Sequence, residues 1–340
     1  MKVLFLHANQ PDYLAESLFH GLRVVLGGDC VDVPRYDSVY KPLTDGLRGK
    51  LRGNGFTLYG LLDELPELRE ERFFWRKGIQ QYDLVVIADV WRKWRTALEV
   101  VEALGPHRVV LMDGSDFPAW FPFSTKLIGR LSAHQLYASG AKYFKRELCG
   151  SGRHFGFLTK KIPAHLRGWM RLPRNARQIA FSIPAEKISK DRPLYKTKDF
   201  ANEVVDAEVA EALRKHSSEV GRSNYLFHWE HEYYADLQSS RFGITTKRAG
   251  WDCLRHYEIA ANGCVPCFRD LDTKPATCAP HGLDRSNCLI YRDWSDLTKQ
   301  IAGLDEPAYA RLRASTLAWI ERNTTAARAS GFLRQCAKDD

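Results

Sequence analysis

Three short apolar runs limit what this chain can fold into: Lys2 to His7, Tyr82 to Ala88 and Arg108 to Met112. Each has the length of a buried strand and gives way to polar residues at its C-terminal end. Leu14, Leu18, Leu22 and Val25 follow the first run at helical spacing, and Trp94 to Leu104 supplies a helix between the other two. Cys30 to Val33 reads as a further short strand. Apolar strands that alternate with helices predict an α/β fold whose parallel sheet is covered on both faces. Ligands of such sheets sit beyond the C-terminal strand ends. That rule selects His7 to Asp12, Asp89 to Trp91 and Asp113 to Asp116 as rim loops.

With 340 residues the chain exceeds the usual size of one core, so two domains or one large α/β unit are expected. From Gly150 to about Pro193 it is rich in Arg, Lys, Pro and Gly, with one apolar island at Gln178 to Ile183. A junction here divides the chain into residues 1–185 and 186–340. The second part reads as helices at Asn202 to Lys215 and Glu232 to Gln238, then a strand at Arg241 to Ile244. A helix from Trp251 to Asn262, capped by Gly263, and a strand from Cys264 to Phe268 follow. Terminal helices are expected at Pro307 to Arg322 and Ala326 to Cys336, the latter capped by Thr325, and they can pack back on the first domain.

No run of 18 apolar residues occurs, and Val3 to Leu6 is too short for a secretory segment, so a cytoplasmic location is expected. The net charge of +9 favours phosphate-bearing partners, whether a nucleotide, a nucleic acid or an anionic membrane face; a solvated basic surface is the plainer reading. The eight cysteines read as reduced thiols. Cys264 and Cys267 have the spacing of a metal pair, but Cys278 and Cys288 follow at wide intervals, and strand alternation points the first two to opposite faces. No metal site is expected.

Tyr234 to Phe268 carries the most chemistry. After the strand containing Gly243, a basic loop with Lys247, Arg248 and Gly250 leads into a helix expected to start at Trp251 or Asp252, with Asp252 as its cap. A helix N-terminus aims N–H groups and positive dipole at its surroundings, which suits a diphosphate. Arg255 and Glu258, three residues apart, share a helix face. Glu258 can accept hydrogen bonds from the vicinal hydroxyls of a ribose. The pair can equally be a surface ion pair and the loop a plain connector.

Arg255-His256-Tyr257-Glu258-Ile259-Ala260-Ala261-Asn262-Gly263-Cys264-Val265-Pro266 resembles the R-x-x-E-x-x-A-x-G-x-x-P signature of group-1-like and exostosin-like glycosyltransferases, and Ser240 to Ile244 resembles the strand that precedes it. The resemblance implies the GT-B fold, two Rossmann-like domains facing across a cleft. It also implies a nucleoside diphosphate sugar on the C-terminal domain with Glu258 at its ribose. No cofactor or metal is expected to be required, because the helix dipole and basic side chains can stabilise the leaving diphosphate. Many retaining members have a second Glu eight positions earlier; here that position is Gly250, so inversion and retention both stay open. An inverting member deprotonates the acceptor hydroxyl with a rim-loop side chain, for which His7, Asp12, Asp113 and Asp116 are on offer. Asp12 can instead cap the following helix, and Asp113 can shape a turn.

Two further clusters have double readings. Tyr143 to Glu147 can bring Lys145 or Arg146 to the donor phosphates, or form a helix surface. Phe117, Trp120, Phe121 and Phe123 can stack on a sugar, or edge the core. The expected activity is hexosyl or pentosyl transfer to a glycan, to a lipid-linked glycan reached by peripheral membrane contact, or to a modified DNA base. The alternative is a non-catalytic nucleotide- or nucleic-acid-binding protein on the same scaffold.

Overall fold

The computed structural model describes residues 1–117, 120–121, 134–148, 175–190, 196–215 and 226–337. The first sheet has six parallel strands: β1 (Val3–Leu6), β2 (Cys30–Val33), β3 (Leu84–Ile87), β4 (Val109–Asp113), β5 (Lys142–Lys145) and β6 (Ala176–Gln178), in the order β2-β1-β3-β4-β5-β6. The period-2 rule divides its core. Val3, Phe5, Val86, Val110 and Met112 face the helix Tyr13–Leu26, whereas Leu4, Leu6, Val85, Ile87 and Leu111 face the helix Val90–Leu104. Strand order reverses between β1 and β3, which opens a crevice at their C-terminal ends. Asp12 and Asp89 cap the two helices that leave this point.

The second sheet is parallel in the order β10-β9-β8-β7, from β7 (Lys198–Phe200), β8 (Ser240–Thr246), β9 (Val265–Arg269) and β10 (Leu289–Tyr291). Helix Leu254–Ala261 packs on β8 at Gly243, where a Cβ would lie 2.8 Å from the Ile259 side chain. Cys264 and Cys267 fall in separate core clusters, as strand alternation requires. After Glu306–Glu321, the last helix, Thr325–Ala337, crosses back to the first domain. It lies so close that a Cβ on Gly21 would be 2.0 Å from the Thr325 carbonyl oxygen.

Several local expectations need correction. Helix Leu254–Ala261 starts later than Trp251 or Asp252, and Asp252 does not cap it; its carboxylate accepts from Phe181 N (2.8 Å) and Tyr257 Oη (2.9 Å). Thr324, not Thr325, caps the last helix, accepting from Ala327 N at 3.2 Å. Lys142–Lys145 is a buried strand, not a helix surface. Trp120 and Phe121 are buried at the core edge and Phe117 is exposed, while Phe123 and residues 149–174 and 191–195 of the expected junction lie outside the described residues.

Candidate functional site

A cleft of about 290 Å³ lies between the domains. On one side it is lined by Tyr13, Gly53 and Phe56, which follow β1 and β2; on the other by Arg248, Cys253, Leu254, Arg255 and Glu258, which follow β8. Glu203 and Tyr233 complete the second wall. Three of the residues selected from sequence, Arg248, Arg255 and Glu258, therefore meet here.

Arg255 and Glu258 do not pair with each other. The Arg255 guanidinium forms an ion pair with Glu203, whose other oxygen accepts from Leu226 N at 3.1 Å. Glu258 is buried, and its two oxygens each accept one hydroxyl: Oε1 from Thr57 Oγ1 (2.5 Å), Oε2 from Tyr233 Oη (3.1 Å). Burial pushes the Glu258 carboxyl up, and the Thr57 hydroxyl, the Arg255 charge and the Tyr233 hydroxyl oppose the shift.

The other residues expected at the donor are elsewhere. The Trp251 and Asp252 N–H groups, offered above to a diphosphate, both donate to Glu147 Oε1 (2.8 and 3.2 Å). Gly250 belongs to the same contact, since a Cβ there would lie 2.5 Å from that oxygen. Lys247 stands over the Trp251 ring, 5.1 Å from its centroid. Gly243 serves strand–helix packing. Lys145 does not reach the cleft: it is fully buried and bonded to Asp113 Oδ2 and Ser115 Oγ, both at 3.1 Å. Arg146 is buried as well, and ties Gly114 O and Asp116 of the first domain to Asp252 O of the second. Four of these placements share one cause. The Trp251 and Asp252 N–H groups, Lys145 and Arg146 each have a partner distant in sequence, whereas Lys247 lies four residues from the ring it covers.

The rim of the first domain holds the expected bases. His7 is buried and stacked on Tyr36, with ring centroids 3.7 Å apart. Its Nε2 donates to Pro34 O (2.6 Å) and its Nδ1 accepts from Asn9 N (3.1 Å), so both nitrogens are engaged. Burial lowers its pKa to about 4 despite the Pro34 carbonyl. Asp113 is fully buried and accepts from Trp91, Ser115, Tyr143 and Lys145. Asp116 is half-exposed in its ion pair with Arg146. Asp12 uses Oδ1 to cap its helix, accepting from Leu14 N (2.9 Å) and Ala15 N (3.3 Å). Burial, with Asp89 nearby, raises its pKa.

Glu16, one turn along the same helix, was not selected from sequence. It is fully buried, with Oε2 accepting from Tyr59 Oη (3.0 Å) and Oε1 without a partner among the described residues. Burial, reinforced by Asp12, raises its pKa from 4.5 to about 8. Between those values the unfolded chain has released the proton while the native state retains it, so stability falls as pH rises. Relative to Glu16→Gln, the wild type is expected to lose up to ~1.4 kcal/mol per pH unit between about pH 5 and 8. Urea unfolding at both pH values measures this, and identical pH dependence of the two proteins would refute it.

No family model matches this sequence. No curated protein matches it either. Solved structures do. HepE of Anabaena, in complex with UDP, aligns with a TM-score of 0.57 at 10% identity, covering 98% of this chain and 99% of that one. A glycosyltransferase from Rickettsia africae aligns at 0.54 and 10% identity over 100% and 99% of the two chains. Sucrose-phosphate synthase from Thermosynechococcus elongatus gives 0.52 and 11% over 98% and 99%. The likeness runs the whole length of the chain and through both parallel sheets: this protein has the GT-B fold, two Rossmann-like domains facing across a cleft.

Proposed function

We propose that this protein is a glycosyltransferase that moves a sugar from a nucleoside diphosphate sugar to a hydroxyl acceptor. The observation that carries the reading is the second wall of the cleft, where Arg248, Arg255 and Glu258 converge beside the N-terminus of helix Leu254–Ala261. Glu258 takes the ribose by accepting from its hydroxyls. Arg248 and the first N–H groups of the helix meet the diphosphate, whose negative charge grows as the glycosidic bond breaks. This scheme requires no metal. HepE, which shares the fold, has been crystallised with UDP-glucose, and that supports a uridine nucleotide as the first donor to try.

On the acceptor side we place Asp12 as the base. It adjoins Tyr13, which lines the cleft, and its raised pKa suits proton abstraction. Asp116 is engaged by Arg146, and both His7 nitrogens are bonded to backbone. Titration calorimetry with UDP, GDP, UDP-glucose and a GDP-sugar tests the reading, together with an assay for slow release of nucleoside diphosphate. Binding followed by turnover is expected. Binding without turnover would turn the reading into a nucleotide-binding protein, and no binding at millimolar ligand would remove it.

A further inference from the structure

The segment Arg52–Gly60 of the first domain, between β2 and β3, reaches across the cleft and seats on the second domain. Asn54 Nδ2 donates to Phe227 O (2.9 Å), and Thr57 N donates to Glu230 Oε1 (2.5 Å). The Phe56 ring stacks on Tyr233, with centroids 6.3 Å apart and planes 24° apart. Thr57 is buried, its hydroxyl donating to Glu258 Oε1 and lying 2.9 Å from Tyr234 Oη.

Its backbone is unusual. Gly53, Asn54, Gly55, Thr57 and Gly60 all have φ between 55° and 71°, the values being 59°, 55°, 71°, 68° and 62°. Glycine accepts this region freely, but a β-branched threonine does so only under strain. Such strain persists where surrounding contacts overdetermine it, and here those contacts are with the opposite domain. The closed arrangement is thus held by a few polar contacts against a local backbone preference.

The chemistry at Glu258 gives this a meaning. A vicinal diol presents two hydroxyls to a carboxylate, one to each oxygen. Thr57 and Tyr233 already do so. With Glu258 only 8% exposed, a ribose hydroxyl cannot take Oε1 until Thr57 withdraws, while Oε2 stays with Tyr233 of the second domain. We propose that Arg52–Gly60 is an internal competitor of the donor, with the Thr57 hydroxyl occupying the place of a ribose hydroxyl on Glu258, so that nucleotide binding and seating of the segment exclude each other. This rests on the reading of Glu258 as the ribose ligand. Apparent donor affinity is then the intrinsic affinity reduced by the fraction of molecules with the segment withdrawn. Reciprocally, nucleotide must loosen the segment by the same coupling.

Thr57→Val keeps the side-chain shape and removes the hydroxyl, leaving Glu258 Oε1 unpaired in the closed arrangement only. It is expected to tighten UDP binding roughly 5- to 30-fold by titration calorimetry. In the wild type, saturating UDP is expected to accelerate amide hydrogen exchange across residues 52–60, a readout that holds even if the variant folds poorly. Wild-type binding of UDP that protects residues 52–60, or a Thr57→Val protein that binds UDP equally or more weakly, would overturn the competitor and leave the donor site standing. Failure of both proteins to bind UDP, GDP or ADP would overturn the two together.

Discussion

Replacing Lys145 by alanine is expected to lower the unfolding free energy by about 3–5 kcal/mol, the usual consequence of removing one partner of a buried ion pair. Lys145 and Asp113 are both fully buried, with Nζ 3.1 Å from Oδ2. Burial alone would raise the Asp113 carboxyl; the Lys145 charge and the hydrogen bonds from Ser115, Tyr143 and Trp91 outweigh it and hold the group below the usual carboxylate range. Without Lys145 the neutral donors remain but the charge has no counterpart. The effect should extend beyond stability, because Asp113 also fixes the loop that carries Ser115, and Arg146 next to Lys145 holds the second domain through Asp252 O. Urea unfolding of Lys145→Ala, Asp113→Asn and the double variant measures the pair. The double variant should be more stable than the sum of the single losses implies, since removing both charges leaves neither stranded. A single-variant loss under about 1 kcal/mol would show that the pair contributes no more than a surface one.

The second large effect lies in the cleft. Glu258→Ala is expected to weaken UDP binding about 5- to 150-fold, equivalent to ~1–3 kcal/mol, because hydroxyls buried against the carboxylate lose their acceptor. Two contributions oppose each other. The substitution also releases the Thr57 hydroxyl, so the Arg52–Gly60 segment is held less firmly and competes less. The loss of donor contact is expected to dominate, since the segment is also held to the second domain through Asn54, Phe56 and Thr57 N, which the substitution leaves in place. Glu258→Gln should fall between, as an amide keeps one acceptor oxygen and presents a donor to the other hydroxyl. Calorimetric titration of UDP, beside a thermal melt that confirms folding, decides the matter. Wild-type affinity in a folded Glu258→Ala protein would move the donor site elsewhere.

The legible parts of this protein are those whose physics is local. Strands β1, β3 and β4 announce themselves as apolar runs because they are buried on both faces, and helix Tyr13–Leu26 as a periodic stripe because only one face meets the sheet. The Gly263 turn ending helix Leu254–Ala261 was legible for the same reason, its φ of 65° being a backbone demand that glycine meets. Strand β5 was hidden by composition. Lys142 and Lys145 look like surface residues, yet Lys142 donates to Cys336 O and Lys145 pairs with Asp113, partners 194 and 32 positions away.

The site divides along the same line. Arg248, Arg255 and Glu258 lie within eleven residues of one another on a loop and a single helix; spacing put Arg255 and Glu258 on one helix face, and the signature resemblance marked them as a site. Thr57, Phe56 and Tyr233 were missed. The one cue was the Gly53-Asn54-Gly55 run, which signals an irregular turn but not what it touches.

Sequence by itself determined the alternation of strands and helices, the parallel sheets that follow, and the polar helix face bearing Glu258. Those properties depend on side-chain periodicity within a few turns of chain. Only the tertiary structure decided which polar groups face the cleft. Trp251 and Asp252 N–H turned to Glu147, Arg146 turned to the domain junction, and Glu258 met a hydroxyl from a segment 201 residues earlier. The reason is desolvation: a buried polar group takes whichever partner folding brings within reach, and sequence distance does not enter that selection.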